Sequence, residues 1–104
     1  MEIQIKGVIT NILPRQDKTD KNGRPYSTQE VAVEDLTGQY KRTVSFTIFA
    51  NENHPRLRDF IKYMQVGNTI FADCDIISRL SKDGGRYFTE IMCYNMGHYN
   101  PQQY

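Results

Sequence analysis

The sequence is poor in residues that bind metals or carry out redox chemistry. Its 104 residues include two cysteines, two histidines and no tryptophan. Cys74 and Cys93 do not form a CxxC pair, and neither histidine stands at ligand spacing from them, which disfavours a zinc site or a redox-active pair. We therefore expect no metal and no cofactor, and we interpret the cysteines as two buried, reduced thiols that pack as small hydrophobic residues.

Long apolar runs are absent too. The longest extend over a few residues, and residues 1–6 alternate polar and apolar side chains where a signal peptide would have a basic end and an apolar block. A chain of 104 residues has room for one domain. We expect a soluble, cytoplasmic protein without membrane contact.

Catalytic motifs are also missing. Neither GxGxxG, nor HExxH, nor GxxxxGK followed by Ser or Thr occurs. Asp73 and Asp75 share a predicted strand face, but we expect no third acid, histidine or nucleophile beside them to complete a site. We interpret the two aspartates as surface charge and predict that the protein is not an enzyme and has no nuclease activity.

What the sequence does contain is alternation of apolar and polar residues, which predicts five β-strands over residues 2–13, 26–35, 40–50, 69–79 and 86–95. Gly7 interrupts the first strand, where it either marks a bulge or bend that lets a small barrel close or is simply tolerated. By the same alternation Tyr87 is expected in the core. The other residues predicted to point inward are Ile3, Ile5, Ile9, Val31, Val33, Val44, Phe46 and Ile48.

Two segments depart from this period. Residues 55–64 have apolar side chains at helical spacing, with Pro55 in the first turn and Asn53 or His54 as the cap. Residues 14–25 carry charges, two prolines and an Asn-Gly pair without an apolar anchor, and we expect a long exposed loop. The helical apolar residues are Leu57, Phe60, Ile61 and Met64.

The order of these elements is that of an OB-fold, an all-β, five-stranded, partly open Greek-key barrel with one helix between the third and fourth strands. We assign this domain to residues 1–95 and a loose, polar C-terminal tail to residues 96–104. A two-residue primed turn at Asp83-Gly84 would join the last two strands. It would place Cys74 opposite Cys93, Ile76 opposite Ile91 and Ser78 opposite Thr89 on the inner side, and Arg79 beside Phe88 on the outer side.

Four stretches also carry a family resemblance. They are Lys21-Asn22-Gly23 leading to Tyr26 and Gln29-Glu30-Val31; Tyr40-Lys41-Arg42 with Val44-Ser45-Phe46-Thr47; Val66-Gly67-Asn68; and Gly85-Arg86-Tyr87-Phe88-Thr89-Glu90-Ile91. The sequence resembles small single-domain bacterial and phage OB-fold proteins, many without an assigned function, that are similar to single-stranded-DNA-binding proteins. Tyr87 stands where that family most often has tryptophan. The acidic C-terminal tip of well-known bacterial single-strand binders is missing, so recruitment of partners through such a tip is not expected.

The charges are distributed unevenly. The net charge is only +1, but the two long predicted loops with their flanks hold seven cations against three acids, whereas the rest holds six against nine. In OB-folds these loops overhang the outer face of the second and third strands, where oligonucleotides or oligosaccharides bind. Cations there would attract phosphates, and exposed aromatic rings would stack on bases of any sequence.

We therefore predict sequence-tolerant binding of single-stranded nucleic acid, with DNA favoured and RNA as the alternative. A protein-interaction or self-assembly module is the rival prediction, in which strand edges or the tail tyrosines form a homo-oligomer or bind a replication partner. Oligosaccharide binding is a weaker rival. Phe49 could instead pack under the helix, Phe88 could cap an open end of the barrel, and the charged loops could be plain solvated surface. The candidate nucleic-acid-binding residues are Lys21, Arg24, Tyr26, Lys41, Thr43, Phe49, Arg79, Lys82, Arg86 and Phe88.

Overall fold

A computed structural model describes residues 1–100 of the protein. The end of the predicted tail, residues 101–104, lies outside the described residues. The elements in chain order are β1 (Glu2–Ile12), β2 (Gln16–Thr19), β3 (Pro25–Asp35), β4 (Thr43–Ala50), α1 (Arg56–Phe60), β5 (Thr69–Leu80) and β6 (Tyr87–His98). No helix within residues 1–100 is long and apolar enough to cross a lipid bilayer.

The strands form one sheet that closes on itself. Its order is β1-β5-β6-β4-β3-β2, and an additional pairing of β1 with β3 closes the barrel. All pairings are antiparallel except the short parallel contact of β4 with β6, at Thr47 with Met92 and Ile48 with Cys93. This confirms the OB-fold prediction, but with six strands instead of five.

The additional strand, β2, lies in the segment predicted to be a loop. Gln16–Thr19 pairs with Pro25–Thr28 and is exposed throughout. It needs no apolar anchor because side chains bind it to β3: the Arg15 guanidinium donates to Asp17 at 2.9 Å and to Ser27 Oγ at 3.0 Å, and Ser27 Oγ donates to Asp17. The predicted loop is therefore wrong over these residues, although the predicted exposure is confirmed.

Gly7 lies where β1 pairs with two strands at once. Its Cα partners are Asp35 on β3 and Ile70 on β5. A Cβ atom added at Gly7 would lie 2.5 Å from the backbone oxygen of Glu34, so only glycine fits without movement of β3. The bulge in β1 is not at Gly7 but three residues later, between Ile9 and Asn11. Gly7 permits the close approach that closes the barrel.

The core confirms most of the predicted inward positions. Ile5, Ile9, Val31, Val33, Phe46, Ile48, Leu57 and Phe60 are buried, while Ile3, Val44 and Met64 pack against this cluster half-buried. Ile61, expected inside, is 68% exposed because α1 ends at Phe60. The predicted caps are also wrong, since α1 starts after Pro55 without a side-chain cap. The Asn51 side chain instead accepts a hydrogen bond from the His54 amide at 2.8 Å.

The β5–β6 hairpin has the predicted register but a different turn. Cys74 lies opposite Cys93 and Arg79 lies opposite Phe88. A primed turn needs a positive φ at Asp83, but among residues 1–100 only glycines have positive φ. The loop is four residues long, since the Ser81 amide donates to the Arg86 carbonyl at 2.8 Å. A four-residue loop with the same centre keeps the same residues opposite one another.

This hairpin extends past the end of the barrel, and its inner face is therefore partly uncovered. Tyr87, predicted in the core, is 69% exposed. Ser78 and Thr89 are exposed as well, with their hydroxyl oxygens 2.9 Å apart. At the other end β6 continues to His98, beyond the predicted boundary at residue 95.

Cys74 and Cys93 lie inside the barrel, as predicted. Both are buried, both are free thiols, and they are cross-strand neighbours. Hydrogen bonding with Cys93, followed by burial, raises the pKa of the Cys74 thiol far above its usual range. The pair contributes packing at the point where β6 carries a bulge opposite Asp73 and Cys74.

Candidate functional site

A groove of about 880 Å³ crosses the outer face of β3 and β4 between two hairpins. The first wall is the β2–β3 hairpin, called the first arm below. The second wall is the end of the β5–β6 hairpin, called the second arm. The residues that line these walls are Lys18, Asp20 and Arg24 on the first arm, and Arg79, Glu90 and Met92 on the second. The two predicted overhanging loops are thus ordered hairpins on either side of one groove.

The floor of the groove is aromatic. Tyr26 and Phe49 stack with their ring centroids 5.3 Å apart and an angle of 26° between the planes. Both are half-buried, and Thr28 and Thr47 line the floor beside them. The alternative that Phe49 packs under the helix is therefore wrong. Each ring covers part of one face of the other, and both rings line the groove.

Hydrogen bonds hold the turn of the first arm. One oxygen of the Asp20 carboxylate accepts from the amides of Asn22 and Arg24, both at 2.9 Å, and Gly23 closes the turn with φ +80°. Behind this turn, the hydroxyl of Ser27, and then Arg15, lowers the pKa of Asp17. The backbone that carries Lys18 and Arg24 is therefore well defined.

The second arm has a similar turn. Asp83 accepts from the Ser81 hydroxyl at 2.6 Å and from the Gly85 amide at 2.9 Å, and these bonds, that from Ser81 first, lower the pKa of Asp83. The Arg86 guanidinium lies 4.2 Å from the centre of the Phe88 ring. The Phe88 side chain is 48% exposed on the second arm, so the alternative that it caps the end of the barrel is wrong.

The groove is lined by equal numbers of cations and carboxylates and has no net charge. In the sequence, Glu52 and Glu90 belong to the nine acids outside the two long predicted loops. In the structure, the β4–α1 connection and β6 bring these two side chains to the groove. No groove cation or carboxylate forms an ion pair with a residue within 1–100. The ion pairs in that part of the chain are Arg15–Asp17, Lys41–Glu34 and Arg58–Asp59. The charged lining is Lys18, Arg24, Arg79, Asp20, Glu52 and Glu90.

The predicted binding residues fall into three places. The groove contains Arg24, Tyr26, Phe49 and Arg79. The turns and upper parts of the arms contain Lys21, Lys82, Arg86 and Phe88. Thr43 and Lys41 lie at the far end of β4, where the Lys41 amine is 3.9 Å from a Glu34 carboxylate oxygen. The prediction missed Lys18, whose position in the groove follows only from the formation of β2.

The two aspartates on β5 have a third acid near them after all, because Glu2 is the Cα partner of Asp75. Amide side chains of Gln4 and Asn95 donate to Asp73 at 2.9 and 3.0 Å. In the described part of the chain no group of three or more His, Cys, Asp or Glu side chains is arranged to hold a metal ion. Asp73 and Asp75 share one strand face, as predicted, and form an acidic patch with Glu2 in which Asp73 accepts these two hydrogen bonds.

Comparison with known proteins gives structural neighbours but no sequence relatives. No protein-family model and no curated protein matches the sequence. The mitochondrial single-stranded-DNA-binding protein of S. cerevisiae is similar in structure, with a TM-score of 0.62, 14% identity and 94% of each chain covered.

Two further neighbours cover this chain completely. The second OB-fold domain of replication protein A from Methanococcus maripaludis has a TM-score of 0.63 and 16% identity, with 89% of its chain covered. The small single-stranded-DNA-binding protein from Streptomyces coelicolor has a TM-score of 0.56 and 18% identity, with 96% of its chain covered. At these identities the likeness is one of fold, and it shows that this chain is an OB-fold protein.

Proposed function

We propose that the protein binds single-stranded nucleic acid in the groove, DNA in the first place and RNA as the alternative, and that it catalyses no reaction on it. The observation that carries this proposal is the stacked pair of Tyr26 and Phe49 on a groove floor flanked by three cations that form no ion pair with a carboxylate of residues 1–100. Structural neighbours from yeast mitochondria and from Streptomyces are single-stranded-DNA-binding proteins, which supports the same class of ligand.

The arrangement suits a strand whose bases face the floor. Base faces stack on aromatic rings whatever the sequence, but a duplex hides those faces, so this floor selects single strands. Lys18 and Arg24 on one wall and Arg79 on the other are positioned to contact the phosphates. Stacking and phosphate contacts, the two main contributions to the binding free energy, do not depend on the base sequence, so binding is sequence-tolerant.

The candidate residues outside the groove would contact only a nucleic-acid strand that is longer than the groove. Lys21 and Lys82 at the turns, and the Arg86–Phe88 stack on the second arm, flank the groove and would guide a strand that enters or leaves it. Thr43 lies six residues from Phe49 on β4, which is roughly 20 Å at about 3.3 Å per residue. Thr43 and Lys41 therefore contact only a strand that continues along the whole outer face.

Fluorescence anisotropy with a labelled single strand of about 20 nucleotides tests the proposal. If three groove cations contact phosphates, the slope of log affinity against log salt is about −2, at roughly −0.7 per neutralised phosphate. Replacing Arg24 and Arg79 together by alanine should reduce that slope to about −0.7. Lys62→Ala, which removes a cation outside the groove, should leave it unchanged.

The comparison of ligands completes this test. The same sequence as a duplex should bind more weakly than the single strand, and an RNA strand shows whether DNA is preferred. Absence of binding to any single strand at low salt, or equal binding of duplex and single strand, would contradict the proposal.

A second candidate function is self-assembly with another copy of the chain. Leu80 and Tyr87 pair across the second arm on the face opposite the groove and are 54% and 69% exposed. If this face joins two copies, sedimentation velocity without nucleic acid should detect a dimer that Leu80→Ser or Tyr87→Ser dissociates. A monomer at all accessible concentrations would exclude this function.

A further inference from the structure

The carboxylates of the groove are unexpected in a site for a polyanion. Phosphates are repelled by carboxylates, so Glu52 and Glu90 oppose the contribution of the groove cations to phosphate binding. Within residues 1–100 the Glu90 side chain has no hydrogen-bond or ion-pair partner, although its backbone is fixed by pairing with Ile77. A ligand that uses this groove must therefore present a hydrogen-bond donor to Glu90 or lose affinity to it.

Single-stranded bases differ in what they present to a carboxylate. Cytosine carries an exocyclic amine, and Glu and Asp are its usual acceptors. Uracil and thymine have a carbonyl oxygen at that position, and their single ring N–H lies between two carbonyl oxygens that a carboxylate repels. A carboxylate beside a stacked base therefore distinguishes amine-bearing bases from uracil and thymine.

Of the three carboxylates in the groove, Glu90 is the one placed for this role. One oxygen of Asp20 is already occupied by two backbone amides of its own turn. Glu52 lies in the β4–α1 connection, outside any strand. Glu90 lies within β6, two residues before Met92, which is the Cα partner of the floor residue Thr47. Strand alternation puts Glu90 and Met92 on the same, groove-facing side.

We propose that Glu90 is a specificity-determining residue, which makes the groove prefer bases with an exocyclic amine, above all cytosine, over uracil and thymine. This inference rests on the proposed binding of single-stranded nucleic acid. The phosphates of the bound strand then lie at Lys18, Arg24 and Arg79, while the edge of one base points to Glu90. The preference adds a bias to sequence-tolerant binding, because it acts only on the base next to Glu90.

The test compares oligo-deoxycytidine with oligo-deoxyuridine of about 20 nucleotides, at neutral pH and constant salt, by competition in fluorescence anisotropy. The bases of these two strands differ where the amine of cytosine is replaced by a carbonyl, and at the neighbouring ring nitrogen, which carries a hydrogen in uracil and none in cytosine. Wild type should bind the deoxycytidine strand about five- to tenfold more tightly, the lower end of the discrimination that a good bidentate contact to a base provides, because the carboxylate accepts from one amine. Glu90→Gln should bring the ratio of affinities close to one, because an amide accepts from an amine and donates to a carbonyl equally well.

Glu30→Gln is the matched control. Glu30 lies on the outer face of β3 and accepts a hydrogen bond from Ser45 at 3.0 Å, but it does not line the groove. The Glu30→Gln substitution removes the same charge as Glu90→Gln and should keep the wild-type ratio of affinities for the two strands. A second probe, deoxycytidine with two methyl groups on the amine, should bind wild type as weakly as deoxyuridine.

The outcomes separate this inference from the proposed function. Equal affinities of wild type for the two strands, or the same ratio in Glu90→Gln as in wild type, would overturn the role of Glu90 while binding itself stands. Failure of both strands to bind wild type would overturn the proposed function. Far-ultraviolet circular dichroism of each variant ensures that the ratios are compared between folded proteins.

Discussion

Replacement of Phe49 by alanine separates stacking from electrostatics at the groove. Phe49 forms half of the aromatic floor, with its ring centroid 5.3 Å from that of Tyr26. A base stacked on an aromatic side chain contributes about 1–3 kcal/mol, so Phe49→Ala should raise Kd about 5- to 150-fold. The change removes no charge, and we therefore expect the slope of log affinity against log salt to stay near −2. Titration of a labelled strand at four or more salt concentrations measures both quantities.

Tyr40→Ala is the control for this experiment. Tyr40 is an exposed aromatic residue, 65% accessible, in the connection between β3 and β4 and outside the groove. Tyr40→Ala should change neither Kd nor the slope of log affinity against log salt. Unchanged affinity in a folded Phe49→Ala variant would show that the floor does not stack on bases. A flatter slope would show instead that the substitution disturbs the cation positions.

The fold could be predicted largely because the core follows the period of the strands. Val31, Val33, Phe46 and Ile48 are inward by alternation and buried in the structure. The sequence does not show where the barrel ends, since alternation assigns a side chain to a face but does not show whether that face is covered. Tyr87 is exposed for this reason.

The site could be predicted only in part, for a related reason. Tyr26 and Phe49 are among the binding residues predicted from the sequence, and the structure brings them together. Lys18 was hidden because β2 is held by polar contacts and backbone pairing, which leave no apolar pattern in the sequence. Glu52 and Glu90 reach the groove through the connection after β4 and the closure of β4 against β6, contacts between segments far apart in the sequence.

Two further predictions concern stability. The pKa values of the Asp17 and Asp83 carboxyls lie below the ordinary 3.8, because a serine hydroxyl donates to each of them. The contribution of these two carboxylates to the order of the arms is therefore present above pH 3.8, and it is lost as the pH falls through their lowered pKa values. Amide exchange measured by NMR should show the arms unchanged between pH 7 and 5 and less protected only under stronger acid; loss of protection near pH 5 would contradict this sign. Gly7→Ala should destabilise the barrel itself, since the new Cβ would lie 2.5 Å from the Glu34 carbonyl oxygen, a backbone atom held in β3 that cannot rotate away. Overpacking of this kind costs about 1–3 kcal/mol, which should appear as a lower midpoint in urea with an unchanged m-value. Gly38→Ala is the matched control, because its Cβ would lie 3.3 Å from an Asp35 carboxylate oxygen and 3.4 Å from the Tyr40 backbone oxygen, much longer distances than at Gly7, in an exposed loop. Equal midpoints for Gly7→Ala and wild type would mean that β1 and β3 do not approach as closely at this point as the barrel closure requires.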